Sequence, residues 1–101
     1  MEIFSGKIEG DEIMQRDLRL LGMITGSATV NSGVSLELSG MVIGDLIVDE
    51  GATVELHGMV GGDVTNKGGR LNVYGMIQGR LFKSSGETHV DAKAVIAGGI
   101  Q

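Results

Sequence analysis

Leu56-His57-Gly58-Met59-Val60-Gly61-Gly62-Asp63-Val64 repeats, after 18 residues, the pattern of Leu38-Ser39-Gly40-Met41-Val42-Ile43-Gly44-Asp45-Leu46. Outward from this pair the same triplet stands at Gly22-Met23-Ile24 and Gly75-Met76-Ile77, giving spacings of 18, 18 and 17 residues, and each triplet is followed two residues on by another glycine. A unit this short cannot enclose a core of its own, so each copy must bury its apolar face against the next and the chain becomes a stack of coils. Copies beginning at Leu20, Leu38, Leu56 and Val73 run 18, 18, 17 and 17 residues and fill 20–89 with four regular coils. Residues 1–19 hold a degenerate first coil, visible in Gly6-Lys7-Ile8-Glu9-Gly10-Asp11, and 90–101 a partial last one that fades through Val95, Ile96 and Ile100. The whole of 1–101 reads as one domain.

Within a copy the apolar residues alternate, as in Val34, Leu36 and Leu38 or Leu46 and Val48, which is the period of a strand and not of a helix. Turn formers separate these stretches: Asn31-Ser32-Gly33, Asp49-Glu50-Gly51 and Asn66-Lys67-Gly68-Gly69. Three short strands per coil predict an all-β fold, a single-stranded parallel β-helix of triangular section with about five to six coils of 17–18 residues. Stacked at ~4.8 Å, they make a rod about 25 Å long. Antiparallel hairpins do not fit, because like residues lie a whole repeat apart and not across a two-residue turn. Stacking converts the repeat into inward ladders: Leu20, Leu38, Leu56, Val73 and Val90; Ile24, Val42, Val60 and Ile77; Ala28, Leu46, Val64 and Leu81. The glycines at 22, 40, 58 and 75, and at 26, 44, 62 and 79, are expected at corners that need positive φ or leave no room for a side chain.

Glycine numbers 18 with no proline, yet it falls at fixed phases of the repeat, so it punctuates turns and does not mark a low-complexity linker. There is no cysteine, hence neither a disulfide frame nor a thiolate metal site. A formal charge of −5 with only 8 lysines and arginines argues against nucleic acid as a partner, since phosphate binding needs a cationic face. The opening Met1-Glu2-Ile3-Phe4 has neither a basic start nor a long apolar run, so the expectation is a soluble cytoplasmic protein.

The pattern Gly-x-Val-x-Gly-Asp-Leu/Val, written as Gly40-Met41-Val42-Ile43-Gly44-Asp45-Leu46 and Gly58-Met59-Val60-Gly61-Gly62-Asp63-Val64, resembles the bactofilins, bacterial polymer-forming cytoskeletal proteins. The resemblance spans about residues 6 to 98. It implies a right-handed β-helix with coils of this length and end-to-end assembly into non-polar filaments without bound nucleotide. It also implies a place at the cytoplasmic face of the membrane, with attachment through a short N-terminal segment to which Ile3 and Phe4 correspond.

Assembly has a physical argument of its own, because uncapped coils expose edge strands and the apolar ends of the core ladders. Glu9, Asp11, Glu12, Arg16, Asp17 and Arg19 charge the first coil, whereas Ala94-Val95-Ile96-Ala97-Gly98-Gly99-Ile100 carries no charge. The C-terminal end is therefore expected to be the stickier, and the residues expected at self-contacts are Ile3, Phe4, Val95, Ile96 and Ile100.

Four further features have a chemical reading and a plain one. Met23, Met41, Met59 and Met76 form either an outward stripe for a protein partner or a cover over a corner, gap filling being the commoner use of methionine. Asp11, Ser27, Asp45, Asp63 and Arg80 stack in one position; calcium would need six to eight oxygens, so turn hydrogen bonding, with Arg80 neutralising Asp63, is the favoured reading. Ser39, His57 and Tyr74 line up, but on an open side without an acidic orienting group or an oxyanion donor, so a surface ladder is expected. Val30, Leu36, Val42, Val48, Val54 and Val60 recur every six residues, as in left-handed β-helix acyltransferases and related carbonic anhydrases. That register breaks at Asn66, and His57 and His89 fall short of three zinc ligands.

The expectation is a self-assembling structural protein, not an enzyme, with no catalytic residue, cofactor or metal site. The alternative is a small acidic binding module of immunity or inhibitor type, using a flat β-helix face.

Overall fold

Equal phases of successive repeats lie side by side in the computed structural model, which describes residues 1–101. Met23 pairs with Met41, Met41 with Met59 and Met59 with Met76, all in parallel register. The first of three faces stacks Glu2–Phe4, Leu18–Leu20, Ser35–Leu38 and Thr53–Leu56, then 70–73 and 87–90. The second stacks Lys7–Ile8, Met23–Ile24, Met41–Val42, Met59–Val60, Met76–Ile77 and Val95–Ile96. The third stacks Glu12–Met14, Ala28–Val30 and Leu46–Val48, then 64–66 and 81–83, and closes with a bridge from Leu81 to Ile100. This is a parallel β-solenoid of about six turns, all-β and without a helix, and its longest extent is 30 Å.

Alternation along each strand sends every second side chain inward. Of the three ladders expected from the sequence, Leu20, Leu38, Leu56 and Val73, then Ile24, Val42, Val60 and Ile77, then Ala28, Leu46, Val64 and Leu81 are all fully buried. Twenty apolar side chains form one continuous cluster along the axis, each of those larger than alanine contributing about 1.5–3 kcal/mol of transfer free energy. The six-residue series Val30, Leu36, Val42, Val48, Val54 and Val60 is buried too, two positions to a face.

That series does not stop where the sequence places the break. Asn66 takes the next inward position, directly above Val48, and is fully buried. Its segment, expected as a turn, belongs to one continuous strand Val64–Val73 that bends through the corner. The asparagine replaces the turn's own hydrogen bonding. Its Oδ1 accepts from the N–H groups of Gly68 (3.1 Å) and Gly69 (2.8 Å), and its Nδ2 donates to Gly69 O (3.1 Å), Glu87 O (3.0 Å) and Thr88 Oγ1 (3.0 Å).

The glycines of the repeat divide into two kinds. Gly33, Gly51, Gly68 and Gly86, all of positive φ, lie at the corners between the third and first faces, and Gly10 and Gly99, also of positive φ, between the second and third. Gly22, Gly40, Gly58 and Gly75 do not have positive φ; there a Cβ would run into the carbonyl oxygen of the equivalent glycine one coil below. Of the two reasons anticipated for these positions, lack of room is the operative one.

The second glycine of each repeat has a related role. A Cβ on Gly62 would collide with Asp45 Oδ1, and one on Gly79 with Asp63 Oδ1. That space lets the side-chain oxygen at this position reach the next coil: Ser27 N–H donates to Asp11 Oδ1 (2.8 Å), Asp45 N–H to Ser27 Oγ (3.0 Å), Asp63 N–H to Asp45 Oδ1 (2.8 Å) and Arg80 N–H to Asp63 Oδ1 (2.8 Å). The Gly-Asp pair is a coil-to-coil staple, and Arg80 joins it through its main chain. The expected Arg80–Asp63 ion pair does not form, since the guanidinium is not among the ion-paired groups. Asp45→Ala should lower stability by about 1–2 kcal/mol, seen as a fall of several degrees in the thermal midpoint by circular dichroism. An unchanged midpoint would show that solvent satisfies the Asp63 N–H equally well.

Candidate functional site: the open ends and the methionine face

The solenoid closes laterally but not axially. Glu2–Phe4, Lys7–Ile8 and Glu12–Met14 each pair with a single neighbour, as does Val95–Ile96 at the other end, so their outer edges are unpaired. At the N-terminal end Phe4 and Ile8 pack half-buried on the last core layer, and a concavity of about 400 Å³ opens between them and Met14. At the C-terminal end Val90, Ala94 and Ile96 are half-buried in the same way. The residues expected at self-contacts therefore lie at the two ends. Ile3 (63% exposed), Val95 (50%) and Ile100 (47%) are open to solvent, while Phe4 and Ile96 cap the core.

The charges of the first coil have separate destinations. Asp11 staples to Ser27 and Asp17 Oδ1 accepts from Ser35 N–H (2.9 Å), while Arg19 sits 3.8 Å from Glu37 on the outer surface of the first face. Lys7 and Glu9 pair at 3.6 Å, and Arg16 and Glu2 at 3.3 Å. Two of the acidic residues, Glu2 and Glu12, occupy inward ladder positions at the open end, aligned with Leu18 and Ala28. Inward-pointing charge is one of the devices by which sheets protect their edges.

Met23, Met41, Met59 and Met76 point outward, because their strand neighbours Ile24, Val42, Val60 and Ile77 are the buried ones. The first three are half-buried and Met76 is exposed. They form a stripe on the second face with Lys7 below and Val95 above, bordered by the exposed side chains of Leu21, Ile43 and Tyr74. A shallow groove of about 580 Å³ runs along the stripe's lower half, over Lys7, Leu21, Met23 and Met41.

His57 and Tyr74 stack with ring centroids 4.8 Å apart and planes 8° from parallel. Contrary to expectation His57 has an acidic neighbour, Glu55, whose Oε2 lies 3.5 Å from Nε2. Both groups are solvent-exposed, and no hydrogen bond joins Ser39 to His57. No three acidic or histidine side chains converge on one point, and no helix is long and apolar enough to cross a membrane.

Comparison with protein-family profiles, with curated proteins and with solved structures finds no match. Function has to be argued from this chain's own geometry.

Proposed function

We propose that this chain is a structural subunit that associates with copies of itself through the ends of its β-solenoid, in the manner of the bactofilins it resembles. The observation that carries the reading is the pair of open ends: unpaired strand edges on both, each framing a core layer that solvent reaches. Edges and apolar surface of that kind are satisfied by another chain unless they are blocked. Stacking is also the mode in which this sequence already buries each of its own coils. The proposal includes no catalytic step, because the polar groups that line up on the surface bond to neighbouring coils or to each other.

A second reading is favoured by the outward stripe of Met23, Met41, Met59 and Met76, an adaptable apolar surface suited to another protein. One series of variants separates the two. Val95→Lys and Ile100→Lys place charge on the C-terminal edge and should shift light-scattering mass toward the monomer, while Met41→Lys and Met59→Lys leave it unchanged. The reverse result, with mass falling only in the methionine variants, would move the self-contact to the second face.

A further inference from the structure

We infer that the column of Met23, Met41, Met59 and Met76 is a binding site for a soft monovalent metal ion, copper(I), held between the thioether sulfurs of adjacent coils. The four regular repeats are in effect aligned copies of one another. Apart from glycine, methionine is the only residue that all four share at one position. The columns beside it vary: Leu21, Ser39, His57 and Tyr74 on one side, Thr25, Ile43, Gly61 and Gln78 on the other. The glycines that flank it in every repeat are fixed by lack of room. No packing requirement of that sort fixes methionine, because its side chain points away from the core while Ile24, Val42, Val60 and Ile77 fill it. Strands favour β-branched and aromatic residues, and the outward column of the third face, Ile13, Thr29, Ile47, Thr65 and Phe82, follows that preference. The methionine column does not.

What methionine offers beyond other apolar residues is a thioether, a neutral polarizable sulfur that selects copper(I) over hard cations. The register supplies the spacing. The four residues pair directly in consecutive parallel strands, so side chains in like rotamers set successive sulfurs about 4.8 Å apart. Two metal–sulfur bonds of about 2.3 Å, the length of a zinc–thiolate bond, span about 4.6 Å. An ion therefore fits between neighbouring rungs, and the flexible side chain of a third methionine has the freedom to close in.

The surroundings suit such an ion. In the four methionine coils this column and the two beside it carry no lysine, arginine, aspartate or glutamate. Lys7, one coil below, is paired with Glu9 at 3.6 Å. The groove over Leu21, Met23 and Met41 gives an approach from solvent. His57 is turned to Glu55 and Tyr74 and takes no part. The shortage of histidine and the lack of cysteine that argue against a zinc centre do not bear on thioether ligands.

The test uses the full chain with two probes: copper(I), kept reduced by ascorbate and set in competition with a chromogenic chelator, and silver(I), a redox-inert copy, in nitrate buffer. Silver(I) should move the methyl resonances of Met23, Met41, Met59 and Met76 but not that of buried Met14, and zinc(II) and calcium(II) should move none. Two double variants remove the same number of thioethers and differ only in adjacency. Met41→Leu with Met59→Leu leaves Met23 and Met76 three coils, about 14 Å, apart. That pair of changes should weaken copper(I) binding about tenfold or more, since only one thioether then reaches any ion. Met23→Leu with Met76→Leu keeps an adjacent pair and should stay within a few-fold of the parent. Leucine retains the apolar surface at similar volume, so a stripe that only serves a protein partner survives in both. Equal losses in the two variants, or methionine methyls that stay in place when silver(I) is added to the parent, would overturn the proposal. Because the ladder lies within one chain, neither result depends on whether copies associate.

Discussion

Asn66→Ala should cost this solenoid about 4 kcal/mol of stability. The substitution strands the N–H groups of Gly68 and Gly69, which donate to Asn66 Oδ1, and the carbonyls of Gly69 and Glu87, which accept from its Nδ2. Gly69 is itself buried, so water does not replace the lost partner there. Each unsatisfied buried group costs about 1–3 kcal/mol, and a domain of this size has only about 5–15 kcal/mol in total. The thermal midpoint should fall by roughly 15–30 °C. Asn66→Asp keeps the acceptor but sets a carboxylate against two carbonyl oxygens, and it should be at least as damaging. Asn66→Val, which copies the side chain of Val48 beneath it, should rescue little because the glycine N–H groups stay unpaired. A midpoint within a few degrees of the parent for Asn66→Val would show that the asparagine only fills space.

Gly58→Ala should be among the most damaging single methyl additions in the molecule. The added Cβ falls on the carbonyl oxygen of Gly40, main chain that cannot rotate away, and that oxygen accepts from Met59 N–H at 3.0 Å. Relief requires the coils to separate locally, breaking the bonds of Gly58 and Met59 to the coil below and opening the Leu38–Leu56 layer. Overpacking of this sort costs about 1–3 kcal/mol where side chains can yield and more where main chain cannot, so a loss of roughly 3–5 kcal/mol is expected. Gly51→Ala provides a contrast: its φ is +81° and its Cβ meets nothing closer than 3.8 Å, so only the left-handed backbone penalty of about 1–2 kcal/mol applies. Chemical denaturation of both variants measures the difference, and equal losses would contradict the steric account.

The coil, its three faces and its inward ladders were legible because the repeat samples each position several times. Leu38, Leu56 and Val42 identify their phase as buried without further help. What the repeat could not convey lies where a position is unique or where the contact joins different coils. Asn66 looks like a turn residue by type, and its burial follows from its place six residues after Val60, a clue the six-residue series already held. The Gly-Asp staple was visible as a motif, but its purpose depends on the glycine of one coil making room for the aspartate of the coil below, a relation between coils that one repeat does not contain. Glu55 comes beside His57 because residues two apart in extended chain share a face, a contact along the coil that the vertical column of Ser39, His57 and Tyr74 does not contain. The charges on the first coil look alike in the sequence. Only the register separates those that bond back onto the solenoid from Glu12, which stands in a core ladder.

Analytical ultracentrifugation of the unmodified chain across a wide concentration range tests the central claim, that the open ends of this solenoid join copies of it. The account predicts a mass that rises with concentration above the 10.5 kDa of one chain and falls again in Val95→Lys. A single species of 10.5 kDa at every concentration, with the β-solenoid intact by circular dichroism, would contradict it.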